Sequence, residues 1–355
     1  MNSDNGVIMN TTFYDILTKH AAMYPDMMPQ DWYKLAFQSE FGCGHLLGNG
    51  AYERLVSEFD SVDYDPNVPL TVDIGGGYTR LDLRAVKGHL APETVFRLFE
   101  DSCETAGTAD GFERKLSLTV RAARLGIIKA DAGLLDGYFS SADRNVLPSH
   151  SEKFRERYGA AYRIIKSRFA PLVPAFMLIE GLSARADRLN IAIDGRAAAG
   201  KTETAALLAS LYGADVIHMD DFFLPKERKT AERLVVPGGN VDSERFYDEV
   251  YSHINDGVIG YGIFDCGKQA VTQRVRLERG KILVVEGVYS LLPSLRDRYD
   301  IKIFLDTDPV TQRDRIILRG GIRLYERYES EWIPLEERYF AMLDPASACD
   351  IRIRT

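Results

Sequence analysis

The hydrophobic positions change their spacing about halfway along the chain. In the first half, apolar residues recur every three or four positions, which is the spacing of amphipathic helices. In the second half, short apolar runs alternate with helical stretches, which is typical of a mostly parallel sheet covered on both faces. The pattern predicts a mainly α-helical domain over residues 1–186, followed by an α/β domain over residues 187–355.

Most of the first half is predicted to be helical. The glycine-interrupted stretch 72–83 predicts a strand or an extended pair within it. Ser149 and Glu152 have the spacing of a capping box, so the last helix is expected to begin there. Pro171 and Pro174 break that helix before a short apolar connector. The predicted helices cover residues 12–23, 29–41, 51–59, 91–106, 111–125 and 149–169.

Several polar residues of the first half lie in or beside predicted turns. One interpretation is a polar pocket built from loops. The other, which we favour, is that the histidines cap helices or pair locally, since one sequence does not bring distant residues together. The half contains no metal-ligand spacing and no nucleophile motif, so its role is left open. The residues are Glu40, His45, Asn49, Arg80, Ser149 and His150.

The second half contains the pattern Gly195-x4-Gly200-Lys201-Thr202, between a predicted strand and a predicted helix. This is the P-loop pattern, in which backbone N–H groups and a helix N-terminus surround phosphate oxygens. A chance glycine-rich turn is the alternative, and the strand–loop–helix context favours the functional interpretation. The sequence predicts an α/β P-loop NTPase fold with a doubly wound sheet. The predicted nucleotide-binding residues are Gly195, Ala198, Ala199, Gly200, Lys201, Thr202 and Glu203.

Carboxylates follow two of the predicted strands. Asp220 and Asp221 come after the strand 213–219, where an open α/β sheet binds its ligand. A kinase needs a carboxylate there to accept a hydroxyl proton, and we favour Asp220 for this role. Glu286 ends the strand 281–286 and is predicted to hold Mg²⁺ together with the Thr202 hydroxyl. The alternative for each acid is that it only caps the next turn.

Further candidates have two interpretations each. Asp242 is expected to cap the helix that follows it, to contact substrate, or both. Phe264 either stacks on a planar substrate or packs in the core. Arg315 and Arg319 share one helix face before Gly320-Gly321, which suggests a closing lid, with a solvated basic face as the alternative. The predicted substrate-binding residues are Asp221, Asp242, Phe264 and Arg315, and the predicted catalytic residues are Asp220, Lys201 and Arg319.

The bulk composition narrows the class of partner. The 355 residues carry a formal net charge of −8, which argues against non-specific binding to nucleic acid or anionic membrane. We see neither a signal peptide nor a long apolar run, so a cytoplasmic protein is expected. The cysteines are far apart in sequence and have no metal-binding spacing, which predicts free thiols.

Residues 188–355 resemble the uridine kinase-like branch of P-loop kinases, whose relatives include phosphoribulokinase and pantothenate kinase. The resemblance implies that Asp220 is the catalytic carboxylate and that Asp242 holds sugar hydroxyls. It also implies that Arg319 is a lid arginine and that Phe264 lies against the base. Where uridine kinases carry a histidine, this chain has Cys266-Gly-Lys268-Gln269. The matching motifs are the P-loop, Met219-Asp220-Asp221-Phe222-Phe223, Asn240-Val-Asp242, Val285-Glu286-Gly287, and Asp306-Thr-Asp308 with the arginine helix.

The leading hypothesis is an ATP- and Mg²⁺-dependent kinase acting on a hydroxyl of a small metabolite, with a nucleoside as the first guess. One alternative is a nucleotide-gated binding or regulatory protein. Another is a bifunctional enzyme whose first half has its own chemistry around Glu40, His45 and His150. The expected partners are ATP and a small-molecule acceptor, and self-association is left open.

Overall fold

The computed structural model describes residues 12–44, 47–103, 107–144, 146 and 148–355. His45, one of the predicted polar residues, lies outside these ranges. The chain divides into two compact units, with the boundary between Ala170 and Pro171. This boundary lies at the first of the helix-breaking prolines.

The first unit combines short helices with a three-stranded antiparallel sheet in the order β1-β2-β3. Two of its cysteines, Cys43 and Cys103, have their sulfur atoms 3.1 Å apart, although sixty residues separate them. The helices are α1 (Phe13–Met23), α2 (Pro29–Phe41), α3 (Ala51–Asp60), α4 (Leu83–Val86), α5 (Pro92–Glu100), α6 (Ala109–Arg124), α7 (Ala132–Ser141) and α8 (Glu152–Tyr158), and the strands are β1 (Thr71–Gly75), β2 (Tyr78–Asp82) and β3 (Tyr162–Lys166).

The single helix predicted over residues 149–169 is wrong. Helix α8 ends at Tyr158, because the left-handed conformation of the next residue, Gly159, stops the helix, and the chain then forms β3 against β2. The predicted capping box is also wrong, because the N-cap is Ser151, whose Oγ accepts a hydrogen bond from the backbone N–H of Phe154 at 3.1 Å. Pairing with a neighbouring strand, which no local pattern reveals, decided the conformation.

The second unit contains a five-stranded parallel sheet in the order β10-β9-β4-β8-β5. A separate antiparallel hairpin is formed by β6 and β7. The strands are β4 (Leu189–Gly195), β5 (Asp215–His218), β6 (Val258–Asp265), β7 (Ala270–Glu278), β8 (Ile282–Glu286), β9 (Ile301–Asp306) and β10 (Ile351–Arg354), and the helices are α9 (Val173–Ser183), α10 (Lys201–Tyr212), α11 (Ala231–Val235), α12 (Ser243–Glu249), α13 (Pro309–Arg327) and α14 (Ile333–Leu343).

Strands β4 and β8 explain why the second half of the sequence contains continuous apolar runs. Every residue of β4 and of β8 is buried, although successive side chains point to opposite faces of the sheet. Both faces are therefore covered, as the continuous apolar runs predict. Because the strands are parallel, the chain segments after β4, β5, β8 and β9 all emerge at one edge of the sheet.

Candidate active site

The predicted phosphate-binding loop connects the end of β4 to the start of α10. Gly195 has φ of 140°, and a Cβ atom there would lie 2.0 Å from the carbonyl oxygen of Leu305. Gly200 precedes α10 with φ of 89°, which is also unfavourable for a side chain. The turn therefore requires glycine at both ends, for a steric reason at the first and a conformational reason at the second.

Lys201 begins α10 and folds back across the loop. Its Nζ donates hydrogen bonds to the carbonyl oxygens of Gly195, at 2.9 Å, and Arg196, at 2.8 Å. The ammonium group thus lies over the loop, where the β- and γ-phosphates of a bound nucleotide would meet it. Ala198 adopts a left-handed conformation with φ of 58°, and Glu203 is exposed in the first turn of the helix.

A buried aspartate that we did not predict supports the base of the loop. Asp194 Oδ1 accepts from the N–H of Gly195 at 2.6 Å. Its Oδ2 accepts from the N–H of Leu291 at 3.0 Å and from the hydroxyl of Tyr339 at 2.8 Å. Burial raises the pKa of Asp194 to about 6. Its position inside the β4 pattern gives no sign of this role, since both later partners are distant in sequence.

A second unpredicted carboxylate approaches the loop from α14. Glu336 Oε2 accepts from the N–H of Ala197 at 3.0 Å, and burial raises the pKa of Glu336 to about 7. The carbonyl oxygen of Ala197 accepts from Gln312 Nε2 at 3.1 Å. Side chains from two helices near the end of the chain therefore fix the loop conformation. Nothing in the local sequence around either residue predicts these contacts.

Arg315, predicted to bind substrate, lies against the same loop. Its Nη1 donates to the carbonyl oxygen of Ala198 and to Thr355 Oγ1, at 3.1 Å in each case. Arg196, within the loop, pairs with Asp306 at 2.9 Å and also with a glutamate of α14. The substrate role of Arg315 stays a prediction, and the contacts favour the nucleotide side of the site.

The two predicted metal ligands meet at the edge of the sheet. The Thr202 hydroxyl donates to Glu286 Oε1 at 3.2 Å. The same carboxylate oxygen accepts from His218 Nδ1 at 2.6 Å, and this hydrogen bond raises the pKa of the histidine. A hydroxyl oxygen beside a carboxylate suits Mg²⁺, which keeps waters and phosphate oxygens as its other ligands. The residues present therefore fit the metal.

The candidate base Asp220 lies in a short 3₁₀ turn, Met219–Phe222, immediately after β5. Its side chain is accessible to solvent but is surrounded by protein, which raises the pKa of its carboxyl. The positive charges of Lys201 and Arg319 oppose that rise in pKa, and the negative charge of Glu286 adds to it. Asp221 is half-buried, and burial raises its pKa as well. The second unit thus brings the three predicted catalytic residues into one electrostatic environment.

Arg319 lies just before an irregularity in α13. Gly320 and Gly321 have non-helical backbone angles inside the helix, and Gly321 has φ of 77°. The Arg319 side chain is exposed. A break in the helix beside an exposed arginine agrees with the predicted hinge, while closure of a lid stays a prediction.

Two predicted acceptor-binding residues already have protein partners. Asp242 caps α12, where its side chain accepts from the N–H of Arg245 at 3.2 Å, and its other oxygen pairs with Arg228 at 2.6 Å. The capping prediction is confirmed. Phe264 lies in β6 with 7% of its surface exposed, so most of its ring packs against protein. Both substrate contacts stay predictions.

Two features are absent from the part of the chain that the structure describes. No group of three or more His, Cys, Asp or Glu side chains there is placed to hold a metal ion. None of the helices in those ranges has the length and apolar character that a membrane crossing needs.

Comparison with known proteins gives likeness at the level of structure alone. No protein-family model matches the chain, and no curated protein matches it. A possible uridine kinase from Bacillus stearothermophilus shares 18% identity over 49% of this chain and 96% of its own, with a TM-score of 0.39. YFH7 from Saccharomyces cerevisiae shares 12% identity over 52% of this chain and 99% of its own, with a TM-score of 0.33. These values are low, so function is inferred from the chain's own residues.

Proposed function

We propose that the second unit is an ATP-dependent kinase that phosphorylates a hydroxyl group of a small metabolite, with a nucleoside as the first class to test. The observation that carries this proposal is the meeting of the phosphate loop, the Thr202–Glu286 pair and Asp220 at one edge of the parallel sheet. Each of these groups has a separate task in phosphoryl transfer, and their occurrence together at one edge is not expected by chance.

The reaction assigns one role to each group. Asp220 orients the acceptor hydroxyl and accepts its proton, and its raised pKa moves the base toward neutral pH. The hydroxyl oxygen bonds to the γ-phosphorus, and the bond to the β–γ bridging oxygen breaks, which releases ADP. Lys201 and Arg319 stabilise the charge on the transferring group. Mg²⁺, when held by Thr202 and Glu286, would neutralise charge on the β- and γ-phosphates.

The experiment is ADP release from Mg-ATP by the full chain across nucleosides, sugars and vitamin-like alcohols. Lys201→Ala serves as the blank, because it removes the ammonium group from the loop. Strong stimulation by one acceptor class would establish the kinase and identify the substrate class. Confirmed ATP binding with no acceptor stimulation anywhere in the panel would count against the proposal.

A second candidate is a nucleotide-gated binding protein. The ion pair of Asp242 with Arg228 and the burial of Phe264 favour it, because both predicted acceptor contacts are already engaged within the protein. In that case ATP hydrolysis would be slow and indifferent to every acceptor. Arg228→Gln distinguishes the two candidate functions, because it removes the ion pair with Asp242. In a kinase it should lower the KM for an acceptor, and in a regulator it should have no effect on ATP hydrolysis.

A further inference from the structure

The first unit contains a buried arginine without an ionic partner among the described residues. Arg80 is 3% exposed, and its guanidinium group donates to Gln38 Oε1 from Nε at 3.1 Å and from Nη2 at 2.7 Å. It also lies 4.6 Å from the centre of the Tyr162 ring. Both partners are neutral. A buried charge is costly unless it is paired, so this arrangement needs an explanation.

Other arginines of the same unit show the usual solution. Arg84 pairs with Asp82 at 2.6 Å, and Arg163 pairs with Glu58 at 2.6 Å. Both are more exposed than Arg80. The most buried arginine is thus the one bound to an amide instead of a carboxylate.

Gln38 is the first member of a hydrogen-bonded chain that leads away from Arg80. Gln38 Nε2 donates to the Tyr162 hydroxyl at 3.1 Å. The hydroxyl lies 2.7 Å from His150 Nε2, and His150 Nδ1 lies 2.8 Å from Asp31 Oδ1. A neutral His150 that donates from Nδ1 to the carboxylate accepts the hydroxyl proton at Nε2. Every bond in the chain then has one donor and one acceptor, which fixes the orientation of the Tyr162 ring beside Arg80.

The charges around this chain do not balance. Burial lowers the pKa of His150 to about 4, so the imidazole is neutral at physiological pH. Burial also lowers the pKa of Lys34 to about 8, but the amine is still mostly charged at neutral pH, and it donates to the carbonyl oxygen of Pro148 at 2.9 Å. Asp31 is the one carboxylate among these groups for the two cations Arg80 and Lys34, and it already accepts from His150 and Ser151. One positive charge is left without a counterpart among these groups.

A pocket adjoins the unbalanced charge. Arg80 and Tyr162 line it together with Tyr24, Phe154 and the Arg84–Asp82 pair, whose charges cancel. The pocket contains about 320 Å³ of space, part of which is open to solvent. A small polar group can therefore approach the guanidinium from outside.

We propose that this pocket is a second ligand site, which binds an oxyanion group of a small molecule through Arg80, with Tyr162 held in place by Gln38, His150 and Asp31. The shared chemistry is that of a carboxylate or phosphate, whose oxygens match the planar guanidinium donors. The oxyanion provides the counter-charge that the described residues around Arg80 do not supply. This site is separate from the phosphate loop and does not depend on the kinase proposal.

Histidine-selective NMR of the full chain tests the proposal at the site itself. The protein is labelled with ¹⁵N-histidine, and the His150 signal is assigned with His150→Gln. Sodium acetate and sodium phosphate are titrated separately against sodium chloride at matched ionic strength. We expect a saturable shift of the His150 signal with at least one oxyanion and none with chloride. Acetate alone indicates a carboxylate ligand, phosphate alone a phosphorylated one, and both indicate the shared chemistry.

Arginine variants establish which group binds the anion. Arg80→Met should abolish the response, and Arg80→Lys, which keeps the charge but loses the planar fork, should raise the apparent Kd at least about tenfold. Arg163→Met is the matched control, because it removes a paired arginine outside the pocket, and its response should equal that of the unmodified chain. If Arg80→Met does not fold, Arg80→Lys decides the matter.

Two results would overturn the proposal. One is a His150 signal that neither oxyanion moves beyond the chloride control. The other is an unchanged Kd in a folded Arg80 variant. Phosphate binding at the P-loop is read separately from the His218 signal, because His218 contacts Glu286 in the second unit. Phosphate binding at the P-loop and oxyanion binding beside Arg80 therefore move different signals, while the kinase proposal is tested separately by ADP release.

Discussion

The two units assemble their polar groups in different ways. In the second unit, the groups follow parallel strands, and the predicted phosphate-binding loop is one continuous stretch of chain between β4 and α10. In the first unit, Asp31, Gln38, Arg80, His150 and Tyr162 come from a helix, two antiparallel strands and the segment before α8. The arrangement in the second unit can be predicted from a sequence, because topology alone brings the ends of parallel strands together. The arrangement in the first unit requires the tertiary structure.

The largest effect is expected at Asp220, the proposed general base in the second unit. Asp220→Asn keeps the shape of the side chain but removes its ability to accept a proton, so kcat should fall by about 10²- to 10⁴-fold while ATP still binds. ADP release and nucleotide titration measure the two properties. Asp221→Asn is the matched control and should lose much less. Unimpaired turnover in Asp220→Asn would remove this residue from the role and weaken the view that strand ends carry the chemistry.

Substitutions of Gly195 and Gly200 test whether backbone conformation alone determines the structure of the loop in the second unit. Gly195→Ala should lower the free energy of unfolding by about 3 kcal/mol or more, because its Cβ would clash with the Leu305 backbone. A Cβ at Gly200 would make ordinary van der Waals contact with Glu203 Oε2 at 3.9 Å, so only the positive φ strains Gly200→Ala, which should cost about 1–2 kcal/mol. Denaturant unfolding compares them. Equal losses would mean that conformation dominates and that the contact with β9 matters little.

The carboxylate behind the loop should make stability depend on pH. Because the pKa of Glu336 is raised in the folded state, the folded chain binds more protons than the unfolded chain between about pH 4.5 and 7. Its contribution therefore falls as pH rises through that window. Glu336→Gln should remove this fall. The free energy of unfolding of the variant minus that of the unmodified chain should therefore be roughly 1–3 kcal/mol greater at pH 8 than at pH 4.5. Denaturant titrations without nucleotide measure it, and parallel pH profiles would contradict the assignment.

A smaller effect is expected in the first unit. Tyr162→Phe leaves Gln38 Nε2 and His150 Nε2 without their partner, and should lower the free energy of unfolding by about 1–3 kcal/mol. Tyr158→Phe is the control, since its hydroxyl bonds to Asp26 near the surface. Denaturant unfolding of both variants gives the comparison. Equal losses would show that the buried hydrogen-bonded chain around Tyr162 stabilises the fold no more than a surface contact does. The contrast between the polar groups of the two units would then be smaller.

Some parts of the structure follow from local pattern. The predicted helix over residues 29–41 is α2, and the predicted strand over 281–286 is β8, which begins at residue 282. The extended stretch at 72–83 forms β1 and β2, as expected. Helix α7 was missed. Local periodicity determines such elements where packing agrees with it, and it failed at β3, where a distant strand provides the partner.

The sequence by itself determined the glycine-bounded loop from Gly195 to Thr202 and the strand and helix on either side of it, because close spacing of glycines, lysine and threonine requires only neighbouring residues and a short turn. It also predicted that Thr202 and Glu286 would lie together, since parallel strands share one edge. Only the tertiary structure decided that Asp194 and Glu336 support the loop, and that Arg80 is buried beside a pocket without a carboxylate among its described partners. Burial and charge balance depend on which distant segments pack together, and a single sequence does not contain that information in any local pattern.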